Sequence, residues 1–180
     1  MELKEKQISS KIVYKGKIVN LYVDHVLCPN GKEATREVIR HCKAVAVIAT
    51  INNKFIMEKQ FRYPYNQELI EIPAGKVDPN EDLEKACMRE LEEETGYLAR
   101  KLVYLGTIYP TVAFCDEEIS IYYANDLIKT EIHPDEDEFV EVYLDSLENI
   151  LSQIKEGIIK DSKTICAFNY YLLNREKLEK

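Results

Sequence analysis

The chain has 180 residues, 46% of them hydrophobic, and its 24 Lys and Arg against 32 Asp and Glu give a net charge of −8. That length suits one well-buried core with a small extension, and the acidic balance excludes sequence-independent nucleic-acid binding, which needs clustered cations. Five scattered cysteines without CxxC spacing fit reduced thiols packed as small core residues, not a disulfide framework or a zinc site.

The amino terminus, MELKEKQISS, lacks the apolar stretch of a secretory signal. The longest apolar run, Ala44 to Ile51, falls far short of the roughly 20 residues needed to cross a bilayer. A soluble, cytoplasmic protein with no membrane partner is expected. Lys11 to Tyr14, Lys17 to Leu27 and Glu33 to His41 read as extended segments, separated by turn signals at Lys15-Gly16 and Pro29-Asn30-Gly31. They predict an N-terminal antiparallel β-sheet extension over residues 1–42, ahead of a main domain at 43–180.

In that main domain, Ala44 to Ile51 and Lys54 to Phe61 flank Asn52-Asn53 as a hairpin with one strand buried on both faces. Leu69 to Ile72 precedes a break at Pro73-Ala74-Gly75. A helix then runs from near Asp78 to Gly96, with Asp78 as cap, Pro79 at its first position and Glu81 completing a capping box. Strands at Lys101 to Tyr109, Ile119 to Asn125 and Phe139 to Leu144 follow, then helices at Ser146 to Lys155 and Ser162 to Leu178. The order is mixed α/β. The acidic run Glu131 to Glu138 reads as a solvated loop, and His25, His41 and His133 as packing or solvent residues.

At about 100° per residue, Leu83, Ala86, Cys87 and Leu91 form the apolar arc of the helix, and Glu90 and Glu94 fall inside it. Two like charges one turn apart on a half-buried face are raised in energy by repulsion and desolvation. Glu92, Glu93 and Glu94 also crowd the last turn, where the macrodipole favours cations. An acidic run is ordinarily a solvated face, but the wheel position of Glu90 and Glu94 calls for compensation. A hard divalent cation with oxygen ligands supplies it and makes the cluster a phosphate site. Arg89 can pair with Glu93 one turn on and orient the carboxylates.

Written out, Gly75-x5-Glu81-x7-Arg89-Glu90-Leu91-x-Glu93-Glu94-x-Gly96-Tyr97 resembles the Nudix box of the Nudix hydrolases, with an aromatic Tyr97 where an aliphatic residue is commoner. The resemblance implies an α/β/α sandwich with a mixed sheet, dependence on Mg²⁺ or Mn²⁺, and hydrolysis of a nucleoside diphosphate linked to another moiety. It extends over most of residues 11 to 145 to the ADP-ribose pyrophosphatase branch. Tyr14-Lys15-Gly16-Lys17-Ile18-Val19 and Pro29-Asn30-Gly31-Lys32 resemble that branch's N-terminal sheet, which exchanges between the subunits of a homodimer. Glu58 to Pro64 with Glu71-Ile72-Pro73-Ala74-Gly75 resembles the segment leading into the box, and Phe114-Cys115-Asp116-Glu117 its catalytic loop.

By matched position, the resemblance implies that Glu90, Glu94 and the Ala74 carbonyl ligate metal, with Glu93 assisting and Arg89 in support. It further implies that Arg62 holds the diphosphate, a role suited to the guanidinium fork, and that Arg36 and Glu37 lie near the adenine pocket. Glu117 is the candidate base for the attacking water, with Glu118 the alternative if the register slips by one. The implied reaction takes ADP-ribose to AMP and ribose 5-phosphate, with another nucleoside-diphosphate sugar as the alternative substrate and a non-catalytic nucleotide-binding module as a further reading. Two steps depart from the branch. Thr111-Val112-Ala113 stands where it has a Ser-Pro-Gly-like step, with Pro110 nearby to supply a kink, and His41-Cys42-Lys43 stands where it has a His-Pro-Gly-like one.

Overall fold

The structure, a computed structural model, describes residues 2–133 and 139–178. They fall into two compact units, Met1–Cys42 with Tyr109–Glu118, and Lys43–Ile108 with Ile119–Lys180.

The first unit is a three-stranded antiparallel sheet in the order β1 (Lys6–Lys15), β2 (Asn20–Leu27), β3 (Glu33–Arg40). β1 starts earlier than its apolar pattern suggested. Its polar residues Lys6 and Gln7 pair with Leu27 and Val26, and two register shifts break the alternation that sequence reading relies on. Gly31 adopts φ +81 in the predicted Pro29-Asn30-Gly31 turn. The segment at 109–118 joins this unit through an Ile39–Cys115 bridge: Ile39 donates its N–H to Phe114 O (2.7 Å), and Asp116 donates its own to Ile39 O (3.1 Å).

The second unit holds a seven-stranded mixed sheet. Its path runs β12 (Val140–Asp145), β5 (Lys54–Arg62), β4 (Ala44–Ile51), β10 (Ile119–Ala124), β9 (Val103–Ile108), with β6 (Gln67–Glu71) on β5 and β7 (Ala74–Lys76) on β4. β4 and β10 are parallel and buried along most of their length. Alternate residues serve opposite faces. Ala44, Ala46 and Ile48 join a core with Phe168 and Tyr171, whereas Val45, Val47 and Ala49 join one with Ala86, Cys87 and Leu91. Thus α1 (Leu83–Thr95) covers one face and α2 (Leu147–Lys155) and α3 (Ser162–Leu178) the other, an α/β/α arrangement. A small ladder of β8 (Tyr97–Ala99) and β11 (Leu127–Lys129) completes the unit. Strands of three residues carry no readable periodicity, so β7, β8 and β11 were not foreseen.

α1 starts later than expected. Asp82, not Asp78, is the cap, accepting from the N–H groups of Glu84 (3.0 Å) and Lys85 (3.3 Å). Residues 78–81 instead form a separate turn in which Asn80 has φ 68, a left-handed conformation that cannot continue a helix. Gly96 ends the helix as predicted, at φ 70, with its N–H on Glu92 O at 2.8 Å. Of the cysteines only Cys87 is buried, which corrects their assignment as core residues, and all five are free thiols. Positions 134–138 of the acidic run lie outside the described residues. Among those residues no helix is long and apolar enough to cross a membrane.

Candidate active site

Ala86, Cys87 and Leu91 seat α1 on the sheet, and the same packing turns Glu90 and Glu94 inward. Glu94 is only 5% exposed. A leucine there would contribute roughly 2 kcal/mol by burial. A carboxylate costs desolvation instead, which its partners must offset. Its Oε2 accepts from the Ala74 N–H at 3.0 Å.

Glu90 approaches the adjoining residue. A Cβ built on Gly75 would fall inside the Glu90 carboxylate, so only glycine leaves room for that group. Both carboxylates therefore converge on the Ala74-Gly75 dipeptide, which β7 anchors to β4 through the Ala46–Ala74 and Val45–Gly75 pairs. Pro73 O accepts from the Val47 N–H at 3.0 Å and fixes the approach.

Arg89 organises the rim. Its Nη1 donates to Glu90 Oε1 and Glu93 Oε2, both at 2.9 Å. Nε and Nη2 fork onto the Glu81 carboxylate at 2.9 Å each, and Nη2 also donates to Lys76 O at 3.0 Å. These bonds hold the Glu81 carboxyl down at about 2, with the Asp78 N–H as a second cause, and raise Arg89 above its ordinary value. The predicted Arg89–Glu93 pair is present. The larger partner is Glu81, which sequence assigns to a capping box.

Arg62, at the end of β5, is gripped by Glu71 through Nε (2.7 Å) and Nη2 (2.8 Å). Burial pushes the Glu71 carboxyl up, but Arg62 and Lys163 together bring it below its usual range. The hydrogen bonds that Arg62 donates to Glu71 raise its pKa against the opposing effect of burial, and the charges of Asp161 and Glu94 add to the rise. Arg62 thus lies within the electrostatic reach of Glu94.

Among the described residues no three His, Cys, Asp or Glu side chains form a ready-made metal cage. Glu90, Glu94 and the Ala74 carbonyl are nevertheless all oxygen donors gathered at one dipeptide, the set a hard divalent ion takes, with waters and substrate oxygens completing the shell. The residues present fit such an ion.

The remaining candidates lie in the first unit. Glu117 Oε1 is 3.7 Å from His41 Nδ1, and Asp116 Oδ1 accepts from the His41 N–H at 2.7 Å. His41, read as a packing or solvent residue, thus braces the loop that carries Glu117. Arg36 and Glu37 sit on opposite faces of β3, opposite Asp24 and Val23 respectively. Arg36 is held by Glu5 through Nε (3.1 Å) and Nη2. Val112, where the resemblance expects proline, is 80% exposed in a turn closed by the Cys115 N–H on Thr111 O (3.1 Å).

Known proteins resemble this chain over nearly its whole length. The NUDIX domain model matches residues 40–168, and that of the nucleoside diphosphate sugar hydrolase N-terminal domain matches residues 5–39. The chain is 42% identical over 174 residues to the ADP-ribose pyrophosphatase of Bacillus subtilis (strain 168), covering 95% of this chain and 94% of that one. It is 44% identical over 172 residues to the methanol dehydrogenase activator of Bacillus methanolicus, covering 94% and 93%. A crystal structure described as an ADP compounds hydrolase has a TM-score of 0.86 at 20% identity, over 99% of this chain and 97% of that one, and shares the fold.

Proposed function

The chain belongs to the Nudix family, and from that premise we propose that it hydrolyses the diphosphate linkage of ADP-ribose to AMP and ribose 5-phosphate. The observation that carries this reading is the convergence of Glu90 and Glu94 on Ala74-Gly75, beside an arginine whose fork is held by a buried carboxylate. Full-length similarity to an ADP-ribose pyrophosphatase supports the substrate.

Glu90, Glu94 and the Ala74 carbonyl hold the divalent ion, Mg²⁺ or Mn²⁺, with Glu93 assisting. When bound, the ion neutralises charge developing on the phosphate oxygens and acidifies the attacking water. Arg62 binds the diphosphate with the three guanidinium N–H groups that Glu71 does not use. Arg89 orients Glu90 and Glu93. Glu117 takes the proton of the water, and one of Arg36 and Glu37, which face opposite sides of β3, contacts the adenosine. The chain works as a cytoplasmic homodimer. β1 is exposed along its whole length and presents Ile8, Ile12, Val13 and Tyr14, an apolar edge suited to a second copy.

A second reading keeps the chemistry and changes the sugar. It is favoured by the N-terminal match, whose description names nucleoside diphosphate sugars in general. Incubation of the purified protein with ADP-ribose and a panel of sugar nucleotides, with Mg²⁺ or Mn²⁺ and with chelator, separates the two. AMP released from ADP-ribose ahead of the panel, and abolished by chelator, is the expected result. No AMP from ADP-ribose would overturn the first reading.

A further inference from the structure

Lys163 is a lysine only 9% exposed, in the first turn of α3, a helix the sequence marked as amphipathic and nothing more. Its Nζ donates to Glu71 Oε2 and lies 3.1 Å from Asp161 Oδ2. Burying an ammonium is costly unless it is paired, and here both partners are carboxylates. Glu71 Oε2 is also the oxygen that receives Arg62 Nη2. Lys163 and Arg62 thus meet on one carboxylate.

The same helical turn reaches the main chain of the segment leading to Ala74-Gly75. Asp161 caps α3, accepting from Thr164 N (2.9 Å) and Thr164 Oγ1 (2.6 Å). The fully buried Thr164 Oγ1 in turn accepts from the Ile72 N–H at 3.0 Å. The first turn of α3 therefore grips Glu71 by its side chain and Ile72 by its backbone.

We propose that Lys163 is a positioning residue for diphosphate recognition: it fixes Glu71, and Glu71 fixes the fork of Arg62 with three N–H groups left for phosphate. Four charges balance in this cluster, Arg62 and Lys163 against Glu71 and Asp161. Without the ammonium, Arg62 alone faces two carboxylates, its charge is drawn inward, and Glu71 is free to rotate. The diphosphate then meets a weaker and less ordered cation. The inference rests on the role of Arg62 in the proposed function, and it concerns the diphosphate, whichever sugar the substrate carries.

A double-mutant cycle between Lys163 and Arg62 tests it. Binding of a methylene-bridged, non-hydrolysable ADP-ribose and of inorganic pyrophosphate is measured by calorimetry without divalent ion, alongside KM and kcat with Mg²⁺. In K163M, affinity for both probes is expected to fall about tenfold, with KM rising by a similar factor and kcat changing less than threefold. K163R, which keeps the charge and the donors, restores most of the binding. In an R62A background, K163M has no further effect. E71Q reproduces the Arg62-dependent loss and serves in place of K163M should that variant fail to fold. Wild-type binding by K163M, or an equal loss with and without Arg62, overturns the inference. Binding of pyrophosphate but not of the ADP-ribose analogue by the wild type would sink the ADP-ribose reading alone, and the pyrophosphate cycle still decides the role of Lys163.

Discussion

The carboxylate of Glu90 occupies the space that a side chain on Gly75 would fill. The end of the Glu90 side chain lies against strand β7 there, and the constraint on the glycine comes from a neighbour rather than from a left-handed backbone.

Gly75→Ala therefore tests the site without touching a carboxylate. The methyl group must displace Glu90, while Arg89 and Glu94 keep their other partners. A fall in kcat/KM of about a hundredfold is expected, equivalent to about 2.7 kcal/mol of transition-state stabilisation, together with weaker Mn²⁺ binding by calorimetry. Activity within threefold of wild type would mean that Glu90 works equally well elsewhere.

The Glu81 carboxyl has a pH signature. Arg89 and the Asp78 N–H hold it at about 2, below its ordinary 4.5. A carboxyl depressed in the folded state contributes stability that is complete above its unfolded value and is lost as pH falls through its folded value. Glu81→Gln should therefore lower the urea midpoint at pH 7. Its deficit relative to wild type should shrink progressively between pH about 4.5 and about 2. A deficit independent of pH would show that the charge on Glu81 is not what Arg89 engages.

Two nearby aspartates separate the true start of α1 from the apparent one. Asp82→Ala removes the side chain that accepts from Glu84 and Lys85 and should cost about 1 kcal/mol in chemical denaturation. Asp78 contributes through its backbone, with its N–H on Glu81 Oε2 (3.0 Å) and its carbonyl on the Glu81 N–H (3.0 Å), so Asp78→Ala should cost far less. Equal losses would return the cap to Asp78.

How far these features were legible depends on their range in sequence. The inward placement of Glu90 and Glu94 followed from the 3.6-residue period, because apolar neighbours three and four positions away define the buried arc. The helix start is not legible locally because Asp78-Pro79-x-Glu81 satisfies the capping pattern, while the fork that occupies Glu81 comes from Arg89 eight residues on. Nothing local could link Lys163 to Glu71, 92 positions apart, since that pair exists only once α3 has packed on the sheet. Arg36 and Glu37 show the opposite case: the two-residue period of a strand already places neighbours on opposite faces, so their joint assignment to one pocket was open to question from sequence.

Glu117→Gln is the decisive variant for the loop at 109–118. An amide keeps the size of the side chain and its contact with His41 but cannot take a proton. If Glu117 is the base, kcat should fall by two or more orders of magnitude with KM little changed, because general-base catalysis contributes about 10²–10⁴-fold. Glu118→Gln, one position on, should retain most of the activity. The reverse result would move the base to Glu118. Unchanged kcat in both would remove this loop from proton transfer and leave His41, Asp116 and Glu117 as a structural brace within the N-terminal unit.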